Sequence, residues 1–223
     1  VMGGWADGRM GGWLLLISAV FHPPAHPSAY PPDPGPILDG ASVAFARVNT
    51  LSAEFVQIVN NPMIGAPDTT LGMLYQKRPN YFEMRFSKPK GDRIVADGKY
   101  LWLWTPSSTK DQVIRSAIPA NGTTGPNLIG QFVDSARQRY TARYLRMEGG
   151  ADVIELTPRS KDLPYSLAVL TIARNDSLVR RLDITEASGQ VRSVILKDLR
   201  VNGGVPEKEF KFSVPSGVHV VNQ

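Results

Sequence analysis

The sequence predicts a mainly β protein: one antiparallel sheet that curls into a barrel or part of one, with a helix at its start and a helical lid inserted midway. Short segments of alternating apolar and polar residues recur from about residue 50 onward, separated by turn residues. Asp97-Gly98, between two such segments, is the strongest short hairpin signal a sequence can carry. The long interruption between Ser116 and Arg139 has helical rather than alternating spacing. With 223 residues, 42% hydrophobic and 20% charged, the chain can bury a substantial core.

Residues 1–29 read as a signal peptide. Arg9 precedes an apolar run, roughly Gly12 to Phe21, that is too short to span a bilayer, which needs about 20 residues. No Asp, Glu, Lys or Arg occurs from Met10 to Pro32. Cleavage after Ala29 suits the pattern, although Pro27 at the −3 position matches poorly; an uncleaved anchor is the competing reading. Residues 30–35 read as the end of a proline-rich tether and 36–223 as the folded domain. The protein is expected to be exported, with the signal peptide cleaved.

The domain opens with "PILDGASVAFARVNT", where Ile37, Ala41, Ala44 and Val48 share one helical face. Next come "LSAEFVQIV", a Gly/Pro/Asn loop, "TLGMLYQK", the corner "RPN" and "YFEMRF", in which Phe82, Met84 and Phe86 oppose Glu83 and Arg85. "RIVADGKYLWLW" supplies the hairpin. Later segments are "RYTARYLRM", "DVIELTP", "YSLAVLTIA", "LVRRLDI", "GQVRSVILKDL" and "EFKFSV", giving roughly ten strands in a meander. The lid, about 116–139, starts with breakers. It then places Leu128, Ile129, Phe132, Val133 and Ala136 on one helical face, with Gly130 weakening the helix. Two helical covers over one concave face are expected.

Several function classes are excluded or weakened. The chain has no cysteine, so disulfides, thiolate metal sites and a cysteine nucleophile are out. Its three histidines are His22, His26 and His219; the first two lie in the leader and tether, and the last suits a strand. That leaves little for acid-base catalysis or a metal, and neither G-x-S-x-G nor H-E-x-x-H is present. No enzyme, cofactor or metal is expected. The net charge of +5 is spread in runs no longer than a pair, which reads as a solvated basic surface and not as a nucleic-acid site. "YLWLW" and "YSLAVLTIA" are apolar on both faces. They either fill a core on both sides or line an apolar hollow; spacing alone leaves both open.

Four stretches, in order and at matching spacing, resemble the periplasmic outer-membrane lipoprotein carrier family, LolA: "VNTLSAEFVQ", "KRPNYFEMRF", "IVADGKYLWLWTP" and "EFKFSVPSGVHV". The resemblance runs from the first helix to the end of the chain. It implies an unclosed β-barrel, a half-barrel, whose covered interior takes lipoprotein acyl chains. It also implies an inner-membrane ABC transporter as donor, an outer-membrane receptor as acceptor, and a carrier acting as a monomer. It implies that Arg78, the arginine of the "KRPN" corner, holds the helical lid shut through hydrogen bonds. The expected ligand-binding residues are Phe55, Leu74, Phe82, Met84, Trp102, Trp104, Leu128, Ile129, Phe132 and Val133. A periplasmic module that senses lipid or lipoprotein and reports to a regulatory partner could use the same half-barrel.

Overall fold

The computed structural model describes residues 31–63, 65–119 and 127–223. The expected leader, 1–29, lies outside the described residues. Helix α1 (Pro34–Ala46) starts where Asp33 caps it: the carboxylate accepts the Gly35 N–H at 2.9 Å, and proline occupies the first turn, where its missing N–H costs nothing. The helix therefore begins two residues before the boundary expected at 36 and takes in the end of the tether. Its buried stripe is Leu38, Ala41 and Phe45, continued by Val48, with Ile37 and Ala44 flanking it.

Twelve strands form one sheet among the described residues. They are β1 (Thr50–Asn60), β2 (Asp68–Lys77), β3 (Tyr81–Lys88), β4 (Arg93–Asp97), β5 (Tyr100–Trp104), β6 (Gln112–Ala117), β7 (Tyr140–Glu148), β8 (Ala151–Pro158), β9 (Tyr165–Ala173), β10 (Val179–Glu186), β11 (Val191–Val201) and β12 (His219–Asn222). Their spatial order is β12-β6-β5-β4-β3-β2-β1-β11-β10-β9-β8-β7. The sheet is curled and unclosed. Every pairing is antiparallel except that of β12 with β6. Strand β1 pairs with both β2 and β11, so the first and last long strands of the meander meet at the centre of the sheet. The chain leaves β6 near one edge and re-enters at β7, the opposite edge. The inserted segment makes that crossing.

The Asp97-Gly98 turn joins β4 to β5 with Gly98 at φ 95°, a conformation most side chains avoid. Asp97 Oδ1 accepts the N–H groups of Lys99 (2.9 Å) and Tyr100 (2.7 Å), and its Oδ2 accepts the Trp102 indole N–H at 2.7 Å. Burial pushes the Asp97 carboxyl up, but the donors of Tyr100, Trp102 and Lys99 outweigh it and hold the group below the usual carboxylate range.

Alternation sends Phe82 and Met84 of β3 into the concave side and Glu83 to the outer side. There Glu83 is fully buried, with Arg93 at 2.6 Å and Arg85 at 3.0 Å; Arg85 also pairs with Glu209. What covers it is the C-terminal segment. "EFKFSV" is not a strand as expected: Glu207–Phe210 is a 3-10 helix, and an irregular stretch follows it. Phe210 packs 5.6 Å from Tyr81, and Phe212 stacks on Trp102 at 5.2 Å. The alternating phenylalanines anchor the segment to the outer face of strands that already have both neighbours. No helix among the described residues is long and apolar enough to cross a membrane.

Candidate functional site: an apolar interior under two helical covers

Eight of the ten expected ligand-binding residues come together on the concave side. Phe55 of β1, Leu74 of β2, and Phe82 and Met84 of β3 form the wall, and each is at most 5% exposed. Ile129, Phe132 and Val133 press down on it from the inserted segment, with Leu128 at the margin. Helix α1 contributes Leu38, Ala41 and Phe45 to the same cluster. The expected single lid helix is two one-turn helices, α2 (Gly130–Val133) and α3 (Ala136–Arg139), broken at Asp134 and at Ser135, whose φ is 54°. The break lets Phe132, Val133 and Ala136 all face inward despite the short turns.

Trp102 and Trp104 are not part of this assembly. They lie in a second cluster on the outer face with Val95 and Val113, against Phe212 and Val218 of the C-terminal segment. The pairing of Trp102 with Val95 and with Arg115 sets that face. Leu101, one residue away, packs on the concave side instead. A strand apolar on both faces served two cores, and its spacing could not say which core held the tryptophans.

Beneath the lid the described side chains are close-packed in this conformation. Phe132 is stacked on Tyr140 (ring centroids 6.2 Å apart) and tilted against Tyr165 (5.4 Å), and both it and Val133 are 0% exposed. A cavity of about 720 Å³ does open elsewhere. It lies at the outer rim between the β3–β4 turn and the C-terminal segment, where Arg85, Lys90, Arg93, Lys208 and Glu209 line it together with the apolar Phe86 and Trp104. An apolar guest of the interior has to displace the helical covers.

Among the described residues a handful of polar ties hold those covers, one of them the ion pair of Arg137 on α3 with Asp39 on α1 at 3.1 Å. Arg78 donates from Nε to the Val48 carbonyl at 2.8 Å and from Nη2 to the Phe45 carbonyl at 3.0 Å, with its guanidinium 5.2 Å from the Phe45 ring. Among the described residues its hydrogen bonds go to the C-terminal end of α1. Its charge still reaches the lid: burial raises the Asp134 carboxyl above the usual range, opposed by Arg78 and Arg139.

The lid has its own ties. Gln76 Nε2 donates to Asn127 Oδ1 at 3.2 Å, and the Gln131 carbonyl accepts from Arg139 Nη1 (2.6 Å) and the Tyr140 hydroxyl (3.0 Å). The Tyr140 and Tyr165 hydroxyls are 2.7 Å apart. Burial, with help from Tyr165, pushes the Tyr140 phenol well above its ordinary value. Sequence reasoning missed this pair. The available signal was Tyr140, Ala142 and Tyr144 sharing one face of their strand. Among the described residues no group of three or more His, Asp or Glu is placed to hold a metal ion.

The family profile of the outer membrane lipoprotein carrier protein LolA matches residues 46–213. The chain belongs to the LolA family. An outer-membrane lipoprotein carrier protein of Pasteurella multocida is 30% identical over 178 residues, covering 80% of this chain and 83% of that protein. One from Leptothrix cholodnii is 29% identical over 213 residues, covering 94% of this chain and 93% of its own. Among solved structures, an uncharacterized conserved protein of Thermus thermophilus shares the fold, with a TM-score of 0.52 and 16% identity over 85% of this chain and 98% of the other. The LolA family comprises carriers, which bind and release and do not catalyse.

Proposed function

We propose that this protein carries acylated lipoproteins through the periplasm, taking them from an inner-membrane ABC transporter and delivering them to a receptor at the outer membrane. The supporting observation is the apolar interior closed by α1 and the inserted lid, which a small set of hydrogen bonds holds in place. In this reading residues 1–29 are the export signal, and the carrier works as a monomer with no cofactor. Acyl chains enter between the wall of Phe55, Leu74, Phe82 and Met84 and the lifted residues Leu128, Ile129, Phe132 and Val133.

The energetics favour a carrier of this design. Exposing a chain of about sixteen carbons to water costs roughly 13 kcal/mol, at about 0.8 kcal/mol per CH₂. Burying three such chains would exceed the practical ceiling of about 18–21 kcal/mol for non-covalent affinity. Release therefore needs an apolar acceptor and a closed state that competes with the cargo. The packed interior is such a state: when cargo leaves, the helices recover their own apolar contacts and the Arg78 hydrogen bonds.

The test is native mass spectrometry of protein purified from periplasm in which the outer-membrane step has been blocked. Adducts with the mass of triacylated lipoproteins are expected. Bare protein under those conditions would overturn the proposal, and a stoichiometric complex with a non-acylated membrane protein would favour a sensing role.

A further inference from the structure

We infer that the hydroxyl pair of Tyr140 and Tyr165 is a recognition site for the carbonyl group of an acyl ester or amide, an inference that rests on the carrier reading above. Tyr140 is 1% exposed and Tyr165 9%, and both belong to the apolar cluster beneath the lid. The acceptor for Tyr140 is the Gln131 carbonyl, 3.0 Å away on α2, so Tyr165 is the donor in the 2.7 Å contact between the two hydroxyls. In the closed state the chain of donors ends on the lid.

Lifting the lid breaks that chain on one side only. The Gln131 carbonyl keeps the Arg139 guanidinium at 2.6 Å, because both belong to the inserted segment. The tyrosines lose their acceptor. Two hydroxyls facing each other carry two protons and can satisfy only one of them, whichever way they turn. The other O–H is left pointing into a space that must now hold hydrocarbon, where an unpaired donor is penalised.

An alkyl tail offers nothing to that donor. An acyl tail does: its ester or amide carbonyl is an acceptor of the same kind as the Gln131 carbonyl it replaces. The pair stands beside Phe132, on β7 and β9, away from the Arg78 corner. The site therefore selects acylated over merely greasy guests and fixes how deep the carbonyl end of one chain sits.

The test compares 1-palmitoyl glycerol with 1-O-hexadecyl glycerol, which share a headgroup and a chain length and differ in the carbonyl. Affinities are read by displacement of a fluorescent fatty-acyl probe from the full chain. Wild type should prefer the ester about three- to tenfold, the range of one hydrogen bond. In the Tyr140→Phe/Tyr165→Phe double variant the ratio should fall to about one, chiefly because the ether binds more tightly once no donor is stranded. Either single variant leaves one hydroxyl without an acceptor and should keep the preference. Should the double variant fail to fold, the carbonyl stretch of a ¹³C-labelled ester on wild type gives the answer, with a shift below its value in hexane expected. Equal binding of ester and ether by wild type, a preference that survives in the double variant, or an unshifted stretch would each overturn the inference. Failure of both glycerols to bind wild type would overturn the carrier reading, and this inference with it.

Discussion

Replacing Arg78 by leucine should make the protein hold acylated cargo more tightly and release it more slowly. The side chain makes two charge-assisted hydrogen bonds to the end of α1, at 2.8 and 3.0 Å, in the closed, cargo-free state. Such bonds are worth about 1.5–3 kcal/mol each when fully buried. Here the guanidinium is half-buried and the carbonyls regain water when the helix lifts, so about 2 kcal/mol for the pair is the appropriate scale. That energy belongs to the state that competes with cargo. Losing it shifts the balance toward the open, loaded form by roughly 30-fold, since about 1.4 kcal/mol is a factor of ten. The assay is binding of a fluorescent fatty-acyl probe, followed by its transfer to liposomes. Tighter binding with slower transfer, and a lower melting temperature for the empty protein, is the expected pattern. Unchanged affinity with wild-type transfer would refute the idea that Arg78 stabilises the empty state.

Other changes test neighbouring parts of the argument. Phe132→Ala removes a fully buried ring stacked on Tyr140 and should cost about 3–5 kcal/mol of stability, read from urea denaturation. Glu83→Gln strips the buried carboxylate from between Arg85 and Arg93, whose side chains are 43% and 25% exposed. Breaking a buried pair costs about 3–5 kcal/mol, and partial exposure of the arginines lowers the expectation to about 2–3 kcal/mol, again by urea denaturation. Asp134 has a raised carboxyl, so the folded protein binds that proton more readily than the unfolded chain. Its contribution to stability falls as pH rises from the ordinary value of 3.8 toward the raised one, and it is a net cost at neutral pH. Asp134→Asn should therefore raise the melting temperature at neutral pH, with the gain vanishing in acid below the carboxylate range; a loss at neutral pH would contradict the assignment.

Much of the fold was legible because local chemistry and the final structure agree. Asp97-Gly98 forms its hairpin, and the alternation of "YFEMRF" puts Phe82 and Met84 inward and Glu83 outward. The apolar spacing after residue 127 marked the residues that cover the concave face, although not the break at Ser135. The failures share a physical cause: periodicity records which residues are buried, not what buries them. Phe210 and Phe212 alternate like strand residues, yet they dock on a face and not along an edge. Trp102 and Leu101 are both apolar, and only the register with Val95 and Ala96 assigns them to different cores. Arg78 stood out beside a corner, but which carbonyls it meets depends on where α1 ends, about thirty residues earlier.

The crossing from β6 to β7 has a mechanical consequence. These strands lie toward opposite margins of the curled sheet. The described part of the crossing, 127–139, runs directly into β7, and its Gln131 carbonyl accepts the Tyr140 hydroxyl at the start of that strand. Raising this part of the cover therefore pulls on the very margin from which it springs.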